Sequence, residues 1–277
     1  MAQMLNPPIK WMGGKSKLRE RIISEFPTHT TYVEVFGGAG WVLFGKTPSK
    51  VEVYNDINSE LVNFYRIAKH RPEALVDALD LLPVSRDIFH DWKHADLSTM
   101  SDLERAARLY YLLHLCFGAR FSGTKPQSDL GYSLGSAPGF NPDRVQDDVR
   151  RAFERLKRVY LENLDCIELI KRWDSPDTLF FCDPPYAGTH GYGGDGFKED
   201  DQRRLAGALK SIKGKFILTN SDHPLIREIY DGCNFQEVDV FYSVGTAKVD
   251  GAREREGEVI VTNYQRHATL FDEQKGA

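Results

Sequence analysis

The tightest constraint on this chain is a short unit near its start. Residues 31–36, TYVEVF, are rich in β-branched and aromatic side chains. They break at once into Gly37-Gly38-Ala39-Gly40 and continue as an apolar stretch, WVLFGK. That pattern predicts a strand, a glycine turn and a helix. A second strand, KVEVYND at 50–56, follows closely and ends in acid. Units of this kind build an open, mostly parallel sheet, and ligands of such sheets bind beyond the carboxyl ends of the strands.

From Ser59 to about Tyr160 the pattern turns helical. ELVNFYRIAKH, PEALVDALDLL and ERAARLYYLLHLCF each carry apolar residues at helical spacing. A glycine- and serine-rich stretch at 118–143 separates the last of these from RRAFERLKRVY and is longer than an idle connector usually is. From 161 the alternation of strand and helix resumes with YLENLD, TLFFCD (178–183), DQRRLAGALKSI, KFILTN (215–220), HPLIREIY, FQEVDVFYSV and GEVIVTNY. The expected organisation is an α/β domain made of residues 1–58 and 161–266, split by a helical lobe at 59–160 and followed by a polar tail at 267–277.

Charge bears on the partner. The chain has 36 basic and 40 acidic residues, a net charge of −4, which is poor for a nucleic-acid binder taken as an average. The charge is segregated, however. Residues 10–21 carry five bases and one acid, 105–125 four bases and no acid, 150–158 five bases and one acid, and 77–104 seven acids and two bases. Such segregation can give an acidic protein a basic face, and phosphates respond to the local field. Solvated helix faces would give the same runs, so charge alone leaves both readings open.

Cys116, Cys166, Cys182 and Cys233 lie far apart without a Cys-x-x-Cys pair or metal-ligand spacing, so reduced thiols and no metal are expected. No apolar run approaches a membrane span, and the opening MAQMLNPPIKWMGG has neither a secretory nor a transit pattern. A cytoplasmic protein without a membrane partner is the expectation.

Glycines after the first strand let backbone approach a ligand, and Asp56, 16 residues beyond Gly40, can accept hydrogen bonds from ribose hydroxyls. The run F-G-G-A-G is not a dinucleotide fingerprint. Glu34, just ahead of the glycines, favours a positively charged ligand over a phosphate. The segment GGKS at 13–16 is no phosphate loop: the required earlier glycine is replaced by Ile9, and no buried strand precedes it.

Asp183-Pro184-Pro185-Tyr186 follows the strand TLFFC. Two prolines stop the sheet ladder and fix the backbone. A carboxylate and the adjacent Pro184 carbonyl are then held side by side as acceptors for both protons of an amino group, with the Tyr186 ring as a stacking platform. The glycine-rich stretch 188–197 directly after it is of the kind that closes over a ligand.

Taken together these pieces resemble the Dam-like (D12 class, alpha group) DNA N6-adenine methyltransferases over nearly the whole chain. Lys10-Trp11-Met12-Gly13-Gly14-Lys15 resembles the family's K-W-x-G-G-K element, with Met12 where a small residue is usual. Glu34 to Gly40 resembles the cofactor loop, with a variant glycine pattern, and Asn55-Asp56-Ile57-Asn58 the strand end that follows it. Asp165 in ENLDC resembles the acid at the cofactor's adenine end, Asp183 to Tyr186 the catalytic tetrapeptide, and LTNSD (218–222) and REGEVIVTNY (255–264) the closing strands.

The resemblance implies a Rossmann-like S-adenosylmethionine-dependent methyltransferase sheet with a helical target-recognition insertion. It implies that S-adenosyl-L-methionine is held by Trp11, Lys15, Glu34, Phe36, Gly38, Gly40, Asp56, Ile57, Asp165 and Asp183. Asp183, Pro184, Pro185 and Tyr186 would act on an adenine flipped out of double-stranded DNA. Lys10, Arg120 and Lys125 are candidate DNA contacts. Cytosine-N4 methylation and a catalytically silent DNA-binding relative are the alternatives. In the tail, HATLFDE resembles short peptides that dock on the replication sliding clamp, with Leu270 and Phe271 as anchors; packing of the two on the domain itself is the competing expectation.

Overall fold

The computed structural model describes residues 4–117, 121–122, 125–132, 134–188, 197–238 and 257–265. Arg120, Leu270 and Phe271 lie outside the described residues, as does most of the glycine-rich stretch after Tyr186. The chain runs through α1 (Arg19–Ser24), β1 (Thr31–Glu34), α2 (Trp41–Gly45), β2 (Val51–Asn55), α3 (Ser59–His70), α4 (Pro72–Asp80), α5 (Arg86–His94) and α6 (Asp102–Leu115). Then come β3 (Phe121–Ser122), β4 (Lys125–Pro126), α7 (Pro142–Leu156), β5 (Val159–Glu162), α8 (Cys166–Trp173), β6 (Thr178–Cys182) and α9 (Glu199–Ser211). It ends with β7 (Lys215–Ser221), α10 (Pro224–Ile229), β8 (Asn234–Val238) and β9 (Glu258–Thr262).

Seven strands form one sheet in the order β5-β2-β1-β6-β7-β9-β8. The pairings from β5 to β7 are parallel, and β9 runs antiparallel to both β7 and β8. This is the Rossmann-like α/β arrangement expected. Strand side chains alternate between two buried faces, as the period of two requires. Tyr32, Leu179 and Phe181 face one apolar cluster with α2 to α7, while Val33, Phe180 and Cys182 face the other with α8 to α10. Burial on both faces explains why TLFFC reads as a continuous apolar run.

The expected boundary at 160/161 falls inside β5, which pairs with β2 from Val159 onward. Helices α3 to α7 share one contiguous core with Leu43 and Tyr54 of the sheet domain. Among the described residues their apolar side chains form one cluster with the sheet face, so they pack as a layer on it. Lys69 donates to the Val159 carbonyl at 2.7 Å, and Arg155 donates to the Leu43 carbonyl at 2.7 Å, across the same seam. Local signals set the helix starts. Asn58 caps α3 through the Glu60 N–H, and Ser101 and Glu104 form a reciprocal capping box on α6.

Candidate active site

The strand order reverses between β1 and β6: the chain goes from β1 to β2 and β5 on one side, and from β6 to β7 on the other. A crevice forms at such a switch point beyond the carboxyl ends of the strands. Here it is a cavity of about 570 Å³. The ends of β1, β2, β5 and β6 supply Phe36, Asp56, Asp165 and Asp183 to its wall, and the segment before α1 supplies Trp11 and Lys15. Glu34, Gly38, Ile57 and Pro185 also line it. Gly40, Pro184 and Tyr186 do not reach the lining.

Backbone geometry explains the glycines. A Cβ on Gly37 would sit 2.2 Å from the Tyr54 ring, and Gly40 takes the left-handed conformation (φ 72°) as it caps α2. The Tyr54 hydroxyl donates to the Gly38 carbonyl at 2.7 Å, and the Gly38 N–H donates to Asp56 Oδ2 at 2.8 Å. Asp56 Oδ1 accepts the Asn58 N–H at 2.8 Å. Burial pushes the Asp56 carboxyl above its ordinary range, and the two N–H donors partly offset this. Each oxygen keeps a lone pair for a hydroxyl of a ligand.

Two side-chain amides, buried Asn55 and exposed Asn163, shape this floor. Asn55 donates to the Val35 carbonyl (2.9 Å) and accepts from the Leu164 N–H (2.9 Å), joining the ends of β1, β2 and β5. Asn163 donates to the Asp56 carbonyl at 2.7 Å. The signal was present in the sequence: an asparagine closing an apolar strand must find partners when buried. Asp165 caps α8 through the Ile167 N–H at 2.9 Å and lies 3.8 Å from Arg204, which also lines the cavity. Phe197 meets Phe36 edge to face at 5.6 Å on the same wall.

Glu34 is almost wholly buried, and its Oε2 accepts the Tyr32 hydroxyl at 2.7 Å. Burial pushes its carboxyl to about 8, against the opposing hydrogen bonds from Tyr32 and the Leu43 backbone. Near neutral pH it therefore holds its proton and offers little of the negative charge that the sequence suggested. The unfolded chain loses that proton near the ordinary value of 4.5, whereas the folded chain keeps it until about 8. Stability from this group is thus full at acid pH and is lost as pH rises through that window. Glu34→Gln should be more stable than the native protein at pH 8.5 by on the order of a few kcal/mol, and so melt higher there, and differ little at pH 4.5. Melting curves at the two pH values check this.

At the end of β6, Asp183 is gripped on both oxygens. Lys15 Nζ lies 2.8 Å from Oδ2, and the Thr219 hydroxyl donates to Oδ1 at 2.7 Å. Lys15 also donates to the Gly13 carbonyl at 2.9 Å and stands 4.8 Å from the centre of the Tyr186 ring. Lys15, expected among the cofactor contacts, thus meets the Asp183 carboxylate directly. Pro184 is buried, while Pro185 and Tyr186 are partly exposed. Lys10 and Lys125 are exposed and away from the cavity lining.

The crevice is thus glycine-walled, carries carboxylates at the ends of three strands, and lies beside the Asp-Pro-Pro-Tyr turn. Sequence comparison gives the class. The profile of the D12 class N6 adenine-specific DNA methyltransferases matches residues 11–244, and the chain belongs to that family. It is an adenine-specific DNA methyltransferase, an enzyme that requires a methyl donor. The chain is 30% identical to the type II methyltransferase M1.LlaDCHI of Lactococcus lactis subsp. cremoris, over 94% of its own length and 96% of that protein. It is 27% identical to the DNA adenine methylase of Haemophilus influenzae, over 86% of its length and 87% of that protein. The retron Ec67 DNA adenine methylase of Escherichia coli is 25% identical, over 97% of this chain and 95% of that one.

Proposed function

We propose that the methyl donor is S-adenosylmethionine, held in the crevice between β1 and β6, and that the acceptor is the N6 amine of an adenine turned out of duplex DNA. The observation that carries this reading is the placement of Asp183, anchored on both oxygens, at the edge of a cavity walled by Gly38 and Asp56. The residues present suit the donor. A backbone cradle without Cβ atoms, a carboxylate for ribose hydroxyls in Asp56, and the Trp11, Phe36 and Phe197 rings match its nucleoside. When bound, S-adenosylmethionine supplies an electrophilic methyl group on a sulfonium.

The protein's own part is chiefly alignment. Adenine N6 is a poor nucleophile because its lone pair is delocalised into the ring. Asp183 and the Pro184 carbonyl would each accept one N6 proton and leave the lone pair directed at the methyl carbon. Direct in-line transfer follows, with no adduct to a cysteine, and the surplus proton departs afterwards through Asp183. Holding two reactants in this geometry supplies up to about 7–11 kcal/mol of the barrier. Turning the base out costs a few kcal/mol, and stacking on Tyr186 returns about 1–3 kcal/mol. Lys10, Arg120 and Lys125 are proposed to hold phosphates.

Transfer of labelled methyl from S-adenosylmethionine to duplex DNA, followed by digestion to nucleosides, tests the reading. N6-methyladenine is the expected product. N4-methylcytosine would replace it with the cytosine alternative, and unlabelled DNA would overturn it.

A further inference from the structure

We infer that Thr219 is the positioning residue that sets the rotation of the Asp183 carboxylate for methyl transfer. The proposal rests on the adenine-methylation reading of the site. A carboxylate at the end of a strand has two free torsions, and only some of their values present a lone pair to an incoming amine. Two donors restrict it here, and they are unequal. Lys15 comes from a segment outside the sheet and is a compact charge on a flexible stem, able to follow the carboxylate as it turns. Thr219 is β-branched and stiff at χ1, 1% exposed, and part of a central strand. The parallel register that places Cys182 beside Leu218 carries Thr219 level with Asp183, and its hydroxyl reaches Oδ1 at 2.7 Å. Oδ1 retains a second lone pair for the substrate amine.

The neighbours of Thr219 extend the same support to the backbone of the turn. Asn220 Oδ1 accepts the Ala187 N–H at 3.0 Å, and the Ser221 hydroxyl donates to the Ala187 carbonyl at 2.9 Å. From α9, Gln202 donates to the Pro185 carbonyl at 2.8 Å and accepts from Asn220 at 3.4 Å. All four side chains are buried. The peptide around Asp183 is therefore pinned by consecutive residues of β7, and Thr219 is the member that touches the reacting carboxylate itself.

The test compares Thr219→Val, which keeps the shape and removes the hydroxyl, with Thr219→Ser, which keeps the hydroxyl and removes a methyl. Single-turnover methyl transfer, S-adenosylmethionine affinity, DNA affinity and melting temperature are measured for both and for the native protein. Thr219→Val should lose about 10- to 100-fold in the rate of the chemical step, the size of one hydrogen bond to a charged group, with both affinities within about threefold. Thr219→Ser should restore the rate to within about threefold of native. A rate for Thr219→Val within threefold of native would overturn the proposal. So would an equal loss in Thr219→Ser, or a loss that tracks weakened cofactor binding or a lowered melting temperature. A native protein that methylates no DNA would instead remove the functional reading, and this role with it.

Discussion

Replacement of Asp183 by alanine should abolish methyl transfer while leaving DNA affinity within a few-fold of native. Asp183 is the acceptor assigned to one N6 proton, and without it the lone pair of the amine stays in the ring. Removing a single pre-organised hydrogen-bonding group from a reacting centre costs about 10²–10³-fold in rate, and the loss here should reach or exceed the upper value, because the same group is the assigned exit for the proton. DNA affinity comes chiefly from phosphate contacts, which do not involve this side chain. Lys15, 6% exposed, would lose the carboxylate at 2.8 Å, so Asp183→Ala should also melt lower. Single-turnover transfer of labelled methyl, with fluorescence anisotropy for DNA, checks both halves. Near-normal turnover by Asp183→Ala would refute the assignment.

Arg155→Ala is expected to destabilise the folded protein by about 3–5 kcal/mol, the range for removing one partner of a buried ion pair. The Arg155 guanidinium lies 2.5 Å from Glu52 Oε2 and 2.9 Å from Oε1, and donates twice to the Leu43 carbonyl. Lys46 Nζ is 2.5 Å from Oε1 of the same carboxylate, and all three side chains are about 5% exposed or less. Burial alone would raise the Glu52 carboxyl. The Arg155 hydrogen bonds and the charges of Lys46 and Arg155 outweigh that, and the net direction is downward. Stability from Glu52 is accordingly present above its ordinary range and lost as pH falls through its folded value. Urea unfolding at pH 7 measures the effect of Arg155→Ala, and a loss below about 1 kcal/mol would contradict it. At temperatures where the variant stays folded, its methyl transfer should change little, because Arg155 does not line the crevice.

How far the sequence disclosed this protein depended on the distance between cause and effect along the chain. The glycine turn after β1 and the Asp-Pro-Pro-Tyr turn after β6 were readable because each is a local pattern whose backbone demands fix its conformation. Strands β1, β2, β6 and β7 were readable because their β-branched and aromatic side chains pack on both faces of the sheet. Helices α5 and α8 were missed. Each has fewer than ten residues, and α5 presents only Ile88, Phe89 and Trp92 to the core amid charged side chains. The start of β5 was placed one residue late, because Val159 continues the pattern of α7.

At the site, the residue types were legible but their partners were not. Thr219 and Asp183 are 36 positions apart, and their bond follows from strand register, which no local pattern encodes. The link between Arg155 and Glu52 spans 103 positions. The raised carboxyl of Glu34 is likewise a product of burial, against the opposing bonds from Tyr32 and Leu43, and no local pattern encodes that burial.

The helices inserted after β2 are fused to the sheet, and this limits how the protein can be recombined. A chimaera that exchanged residues 59–160 with a relative would carry away Val159 and Tyr160 of β5, together with Arg155, the counter-ion of a glutamate left behind. The inserted helices are therefore not a detachable cassette, and a swap with its ends inside the stretch between α6 and α7 leaves that seam uncut.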